Sequence, residues 1–302
     1  MAADDLAALQ DVKDWLTGGG QAMTSAEDPL LKRTITTLSG SIYTYLSREI
    51  IAPRSITERY DGYGNSRLLL KNYPVLAVAQ LIVDGVVYQV GTYPTATNSN
   101  WPPGGYVFTP WDGRLPGKPQ AIDTFLSATG RAGTVYGFPW GRQNVQVTYT
   151  AGYQVTGEAA TVPANPGPYT VAVQAPRGPW ASDQGVTYAS GAPLTAVTVN
   201  PAQGQYIPPT AIGSAAAPGN YTFAAADAGA AVLLSYGFIP SSLNQACIEW
   251  VAERYRYRGR IGQKAQTVSG QTTASYDTSA VPAFIKGSLD PYRNVVPSMA
   301  WG

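Results

Sequence analysis

Between residues 157 and 236 the chain carries only four charged side chains, Glu158, Arg177, Asp183 and Asp227. No other stretch constrains the fold as strongly, because the same positions are filled with short runs that read as strands separated by turn residues. Tyr169-Thr170-Val171-Ala172-Val173, Leu194-Thr195-Ala196-Val197-Thr198-Val199, Tyr221-Thr222-Phe223 and Ala231-Val232-Leu233-Leu234-Ser235-Tyr236 alternate or run between clusters of Pro, Gly and Asn. Antiparallel strands with turn signals at roughly ten-residue spacing are most simply layered as a small sandwich. The Ala224-Ala225-Ala226 run is followed at once by Gly229, which supports a turn or a short helical piece.

Composition sharpens this. The 302 residues include 32 Gly, 24 Pro and 20 Tyr, an excess that sits among Val, Tyr and Thr runs and so marks turns between strands rather than disorder. With 20 Lys+Arg against 19 Asp+Glu the formal charge is +1, which gives no reason to expect a polyanion-binding protein. The apolar runs fall short of the roughly 18–20 residues of a membrane helix, and MAADDLAALQD lacks a basic-then-apolar pattern, so neither membrane nor export signal is expected. A single Cys247 excludes an intrachain disulfide, and zero histidines remove the commonest metal ligand and neutral-pH base.

The flanks read differently. Leu6, Leu9, Val12 and Leu16 make a short helical stripe that Asp4 or Asp5 can cap and Gly18-Gly19-Gly20 stops. After Ser25-Ala26-Glu27-Asp28-Pro29, apolar residues from Leu30 to Leu46 recur at three- and four-residue steps, predicting a second helix that ends near 48–50. From Ile56 the period becomes two, with hairpin signals at Asp61-Gly62-Tyr63-Gly64-Asn65 and Asp84-Gly85 and a return strand over 144–149. Residues 91–141, rich in Gly, Pro, Asn and Trp, form a long extended excursion that contains Tyr106-Val107-Phe108. Helicity returns after Pro240, where Ser241 or Ser242 can cap a helix with Leu243, Ala246, Cys247, Trp250, Val251 and Arg254 on one face. The predicted fold class is α+β, a small helical scaffold with short β hairpins (1–156 plus 237–302) interrupted by the all-β sandwich-like module at 157–236.

Four segments then carry a likeness: the opening helices ending in Tyr43-Thr44-Tyr45-Leu46-Ser47-Arg48, Ile56-Thr57-Glu58-Arg59-Tyr60-Asp61-Gly62, Leu68-Leu69-Leu70-Lys71-Asn72-Tyr73-Pro74-Val75 through Val83-Asp84-Gly85, and the late helix to Arg258-Gly259. Leu289-Asp290-Pro291-Tyr292-Arg293 adds a fifth. In this order and spacing the chain resembles the head-tail connector (adaptor) proteins of tailed bacteriophages, the small helical ring-forming proteins beneath the portal. The likeness spans roughly 5–90, 142–153 and 238–297. It departs from the family in length, because typical members are near half this size.

The resemblance implies a structural virion protein, made in the host cytoplasm and placed at the portal-tail junction (neck). It would form a homo-oligomeric, dodecameric ring that joins the portal protein to a tail terminator, stopper or tail-tube protein. Genomic DNA would pass through its channel without sequence-specific binding. No enzyme activity, cofactor or metal is expected. Tail residues Phe284, Ile285, Leu289, Tyr292, Arg293 and Trp301 are candidates for the portal or tail interface. Arg254, Arg256, Arg258, Arg260 and Lys264 are candidates for ring or channel electrostatics, or else solvate a helix end and pair with Glu249, Glu253 or a neighbour's acids. Asp4, Asp5, Asp11 and Asp14 either cap and solvate their helix or meet arginines across the ring.

Other patterns have plainer readings. Asp61-Gly62-Tyr63-Gly64-Asn65 lacks the calcium-loop ligand series and reads as a turn. Gly18-Gly19-Gly20 has no following Lys-Ser/Thr, and Cys247 has no histidine to activate it. Trp101, Trp111, Trp140 and Trp180 suit local loop cores better than sugar stacking. The alternative function is a capsid- or receptor-binding decoration protein whose β module binds a host glycan or capsid protein. A two-carboxylate glycosidase would need Glu158 to converge with Asp183 or Asp227.

Overall fold

The computed structural model describes residues 4–18, 23–90, 105–109, 121–125, 138–258, 265–268, 272–275 and 281–294. Their chain contacts divide it into two compact units, one of residues 1–48 with 153–295 and one of 49–152 with 296–302. The expected α+β fold on a helical connector scaffold is overturned. Among the described residues four α-helices stand against strands in sheets of seven, three, four and two members, so the protein is mostly β. The physical reason lies in pairing. Segments between 54 and 151 with the period of strands join one seven-stranded sheet rather than separate hairpins, and two strands from residues 91–141 belong to it.

The unit of residues 49–152 is built on one sheet. Its strands are β1 (Arg54–Gly62), β2 (Arg67–Leu69), β3 (Val75–Val83), β4 (Val86–Val90), β5 (Gly105–Thr109), β6 (Ala121–Phe125) and β7 (Gly141–Ala151), in the order β1-β7-β3-β4-β5-β6-β2. Strand β7, paired with β1 on one side and β3 on the other, carries Val145, Val147, Tyr149 and Ala151 in alternation, all fully buried, the period a one-sided sheet requires. They pack with Tyr60, Leu70, Val75, Leu81, Val83, Tyr106, Ile122 and Phe138. Asp84 and Gly85 both take positive φ, 49° and 81°, and pair Val83 with Val86 in the two-residue turn their sequence predicts. The hairpin expected at Asp61–Asn65 does not form: Asp61 and Gly62 end β1, and the chain leads on to β2 at the opposite edge of the sheet, with the Phe138 N–H bonding the Asn65 carbonyl at 2.6 Å and the Asp61 carboxylate accepting the Gln143 N–H.

One carboxylate organises the interior of this sheet. Glu58 on β1 accepts the hydroxyl protons of Tyr60 and, at 2.6 Å, of Tyr149, and its other oxygen accepts the Asn72 amide at 3.2 Å. The same hydroxyls accept backbone N–H groups of Lys71 and Asn72, so each phenol both donates and accepts.

The other unit joins the two ends of the chain. Helices α1 (Leu9–Thr17), α2 (Asp28–Leu46), α3 (Ser241–Tyr257) and α4 (Ala283–Leu289) bury Val12, Leu31, Ile35, Ile42, Leu46, Leu243, Cys247, Val251, Ile285 and Leu289, with α3 touching each of the others. The capping differs from expectation. Helix α1 begins after Ala8, Asp5 is buried, and the Ser241 hydroxyl donates to the Arg177 carbonyl instead of capping α3. Arg254 stands exposed rather than on the buried face. Helix α2 stops at Leu46 because Ser47 takes a left-handed conformation, φ 51°.

The charge-poor region lies within this unit. It supplies β8 (Gln154–Thr161), β10 (Trp180–Tyr188) and β14 (Ala231–Phe238) in the order β10-β14-β8, and β9 (Thr170–Ala172), β11 (Thr195–Ala196), β12 (Gln205–Ile207) and β13 (Asn220–Phe223) in the order β11-β12-β13-β9. A short 3-10 turn follows at Ala225–Asp227, and a hairpin of β15 (Ala265–Val268) with β16 (Thr272–Ser275) completes the unit's strands.

Tyrosine hydroxyls tie the first two of these sheets together. Asp183 on β10 accepts Tyr206 from β12 at 2.7 Å and Tyr221 from β13 at 3.0 Å, and the Trp180 indole donates to Tyr221 at 3.0 Å. Asp227 accepts Tyr188 at 2.7 Å and the Gly204 N–H, and Glu158 accepts Tyr236 at 2.6 Å and the Gln174 N–H. Each acid of the region is therefore held by a phenol and a backbone or second phenolic donor.

Two outcomes follow for stability. Removing one hydroxyl, as in Tyr221→Phe, strands the Trp180 indole and part of Asp183, and should cost about 1–3 kcal/mol in a urea titration. Burial, reinforced by the neighbouring carboxylates, raises the pKa of Tyr60, Tyr149, Tyr206, Tyr221 and Tyr236. Above the ordinary tyrosine value of about 10, unfolded chains lose these protons while the folded protein keeps them, so stability must fall as pH rises. Absorbance at the tyrosinate band should show these five ionising together with loss of the circular dichroism of the fold, not before it.

Candidate functional site

Helix α3 carries two contrasting surfaces on one rod. Its first half, through Asn244, Gln245 and Ile248, forms one wall of a cleft of about 700 Å³ whose other walls are α1 and the loops around 173–179 and 214–218. Residues at i, i+3 and i+4 share a helix face, so Asp11, Asp14 and Trp15 of α1 all reach this cleft while Val12 turns into the core. Trp15 remains 46% exposed, and Pro179, Pro218 and Ile248 add apolar wall. The loop bearing Pro179 can lie this close because Gly178, at φ 144°, has no side chain; a Cβ there would fall 1.9 Å from the Ile239 carbonyl oxygen.

Both carboxylates are partly engaged. Asp11 accepts the Ala215 N–H at 2.9 Å, and Asp14 accepts the Gln10 side-chain amide at 2.7 Å. Burial raises the Asp11 pKa above the ordinary carboxylate value; the Ala215 N–H works against this and the charge of Asp14 adds to it. Trp15 does not stand out in the sequence. Its signal was spacing, since an aromatic at i+4 from Asp11 sits on the polar face of an otherwise regular stripe.

The second half of α3 and the residue after it carry both signs, Glu249 and Glu253 with Arg254, Arg256 and Arg258. Arg254, Arg256 and Arg258 are exposed and alternate with half-buried Tyr255 and Tyr257. The Arg254 guanidinium lies 5.6 Å from the Tyr257 ring centroid, and that of Arg258 lies 4.1 Å from Tyr255 while pairing with Glu27 at 2.9 Å. Arg254, Tyr255, Tyr257 and Arg258 line, with Leu30 and Thr34 of α2, a shallow groove of about 300 Å³. Arg260 and Lys264 lie outside the described residues.

The tail candidates separate. Ile285 and Leu289 are fully buried in the helical core, whereas Phe284 is 53% exposed. Tyr292 stacks edge-on against Tyr153 with centroids 5.9 Å apart and shares a 2.8 Å hydroxyl bond with Ser242. Asp290 accepts the Tyr45 hydroxyl, Arg293 lies over the Tyr45 ring, and the Asn294 N–H bonds the Leu46 carbonyl at 2.7 Å. Through residue 294 the segment is strapped to the end of α2. Trp301 lies outside the described residues, as do Trp101 and Trp111.

The remaining reactive or aromatic candidates are placed by packing. Cys247 is fully buried, 3.6 Å from the Ser39 hydroxyl, and burial pushes its thiol up to about 12, with the Ser39 bond opposing and Asp5 adding to the shift. Trp180 is buried on Tyr221, and Trp140 is exposed beside Tyr63. Glu158, Asp183 and Asp227 hold separate tyrosines and share no hydrogen-bond partner among those described. No protein-family model and no curated protein sequence matches the chain.

Cys247 provides a check on the packing of α2 against α3. Native protein at neutral pH should leave a chromogenic thiol reagent unreacted over hours, and one equivalent should react on denaturation. Rapid native labelling would show that the helices part.

Proposed function

We propose that the protein is a structural component of a phage virion, a head-tail connector that closes into a ring at the portal-tail junction and leaves a channel for DNA. One observation carries the reading. The segments from both ends of the chain that bear the resemblance fold against each other as α1 to α4, and the helix they surround, α3, ends in exposed Arg254, Arg256 and the following Arg258, interleaved with half-buried Tyr255 and Tyr257. Arg and Tyr are the side chains favoured at the anchored centres of protein interfaces. A mostly β fold does not weigh against such a role, because a closed ring needs two complementary surfaces on each subunit and no particular secondary structure.

In this reading the portal protein binds one side of the ring and a terminator, stopper or tail-tube protein the other. Phosphates moving through the channel would meet arginines only in passing and without regard to sequence. Among the described tail candidates Phe284 is the apolar side chain offered to solvent, and Arg293, nine residues on, is an exposed cation lying over the Tyr45 ring. Ile285 and Leu289 hold α4 in place. Removing everything beyond about residue 280 would therefore damage the helical core, and point substitutions are the better probe.

Native mass measurement of the protein, alone and with its portal partner, tests the proposal. A closed homo-oligomer, formed alone or templated on the portal, is the expected result; a protein that stays monomeric in both would overturn it. Phe284→Ala should leave the melting temperature within a few degrees and weaken portal attachment about tenfold or more, the scale of an interface anchor. Unchanged attachment would remove Phe284 from the interface.

A further inference from the structure

We infer that the cluster around Asp183 is a trap for one-electron oxidation, where an outer-sphere one-electron oxidant leaves a tyrosyl radical on Tyr206 or Tyr221 and a proton on Asp183. The inference is independent of the ring reading. It requires no docked ligand, because an electron can leave a buried ring without contact.

Four side chains from three strands are joined in series. The Trp180 indole N–H donates to the Tyr221 hydroxyl at 3.0 Å, Tyr221 donates to Asp183 Oδ1 at 3.0 Å, and Tyr206 donates to Asp183 Oδ2 at 2.7 Å. Indole and phenol are the aromatic side chains that give up an electron most readily. The Tyr206 and Tyr221 rings also touch, with centroids 5.8 Å apart. Trp180, Tyr206 and Tyr221 are only 4%, 2% and 0% exposed, so a radical formed there is shielded from coupling with a second molecule.

A phenol that loses an electron becomes a strong acid, and a buried one with no base beside it would have to hold a positive charge away from water. Here the proton has a destination. Both Asp183 oxygens accept hydrogen bonds, Oδ1 also from the Gly185 N–H, as the acceptor-only carboxylate does. Tyr206 passes one electron to the oxidant, its O–H bond breaks, and the proton moves along the existing hydrogen bond to Oδ2. The products are a neutral phenoxyl, a neutral carboxylic acid and the oxidant reduced by one electron. The step discharges an anion instead of creating a cation, the direction that a site of low polarity favours. Tyr221 reacts in the same way through Oδ1, and the Trp180 N–H then bonds its phenoxyl oxygen. Asp183 takes up one proton, so the cluster holds one radical at a time. Trp180 separates it from Glu58, where two phenols and the Asn72 amide meet a carboxylate with no indole among the described residues.

Oxidation of the full chain by photogenerated tris(bipyridine)ruthenium(III), followed by electron paramagnetic resonance once the exposed radicals have decayed, provides the test. The surviving signal should be that of a tyrosyl radical. It should persist in Tyr206→Phe and in Tyr221→Phe taken singly, since each leaves one phenol on Asp183. Asp183→Asn keeps a hydrogen-bond partner for both hydroxyls but supplies no base, and should lose most of the signal with its circular dichroism unchanged. Asp183→Glu should restore the signal, and Glu58→Gln should leave it as it is. A signal undiminished in Asp183→Asn, or lost in Glu58→Gln instead, would overturn the inference. High-field resonance on the wild type needs no variant: a phenoxyl that accepts a hydrogen bond from a neutral acid has a lowered g value, and the g value of a phenoxyl without such a bond would overturn the inference equally.

Discussion

The hydrogen bond from a buried tyrosine hydroxyl to a carboxylate is the interaction on which both units depend. With no histidine, few charges and little ionic pairing inside, the chain must still satisfy the acids its sheets enclose, because an unpaired buried carboxylate costs far more than a hydrogen bond returns. Phenols solve this without introducing a second ion. Glu58 gathers Tyr60 and Tyr149 within one sheet, and Asp183 gathers Tyr206 and Tyr221 from the sheet opposite its own. The ring of each tyrosine supplies apolar area to the core while its hydroxyl reaches the acid, so packing and polar satisfaction come from one side chain. This arrangement also accounts for where the acids of residues 157–236 are spent. They hold sheets together.

Much of the fold was legible where local and tertiary preferences agree. The Asp84-Gly85 turn, the alternation along β7 and the apolar faces of α2 and α3 all follow from the period of the sequence, since burial on one side enforces that period. What could not be read was extent. Within 91–141 the sequence marks Tyr106–Phe108 as extended, yet the strand at Ala121–Phe125, its pairing with Gly105–Thr109 and their joining to the sheet are contacts that composition does not encode. The tail posed the same difficulty. Phe284, Ile285 and Leu289 look alike in sequence as apolar anchors, and only the position of α3 decides that two are core and one is surface. Trp15 was passed over because a lone tryptophan on a short helix is indistinguishable from a core residue until its neighbours are known.

The helical cluster is discontinuous in sequence, assembled from residues before 48 and after 241, and the way the intervening chain is closed off explains how that is possible. Strand β8 enters the charge-poor region at Gln154 and β14 leaves it at Gly237, and these two residues face each other in an antiparallel ladder. In the other unit, Arg54 at the start of β1 faces Ala151 at the end of β7. Each intervening segment thus begins and ends on neighbouring strands, with its two ends a single strand spacing of about 5 Å apart. Segments closed in this way can lengthen or shorten at their far loops with little demand on the junction, which is the condition under which insertions are tolerated. The charge-poor region also touches the helical cluster away from that junction, through the Ala215 N–H on Asp11 and the Arg177 carbonyl that accepts the Ser241 hydroxyl, so its loops near 177 and 215 are the ones that a change of length has to spare.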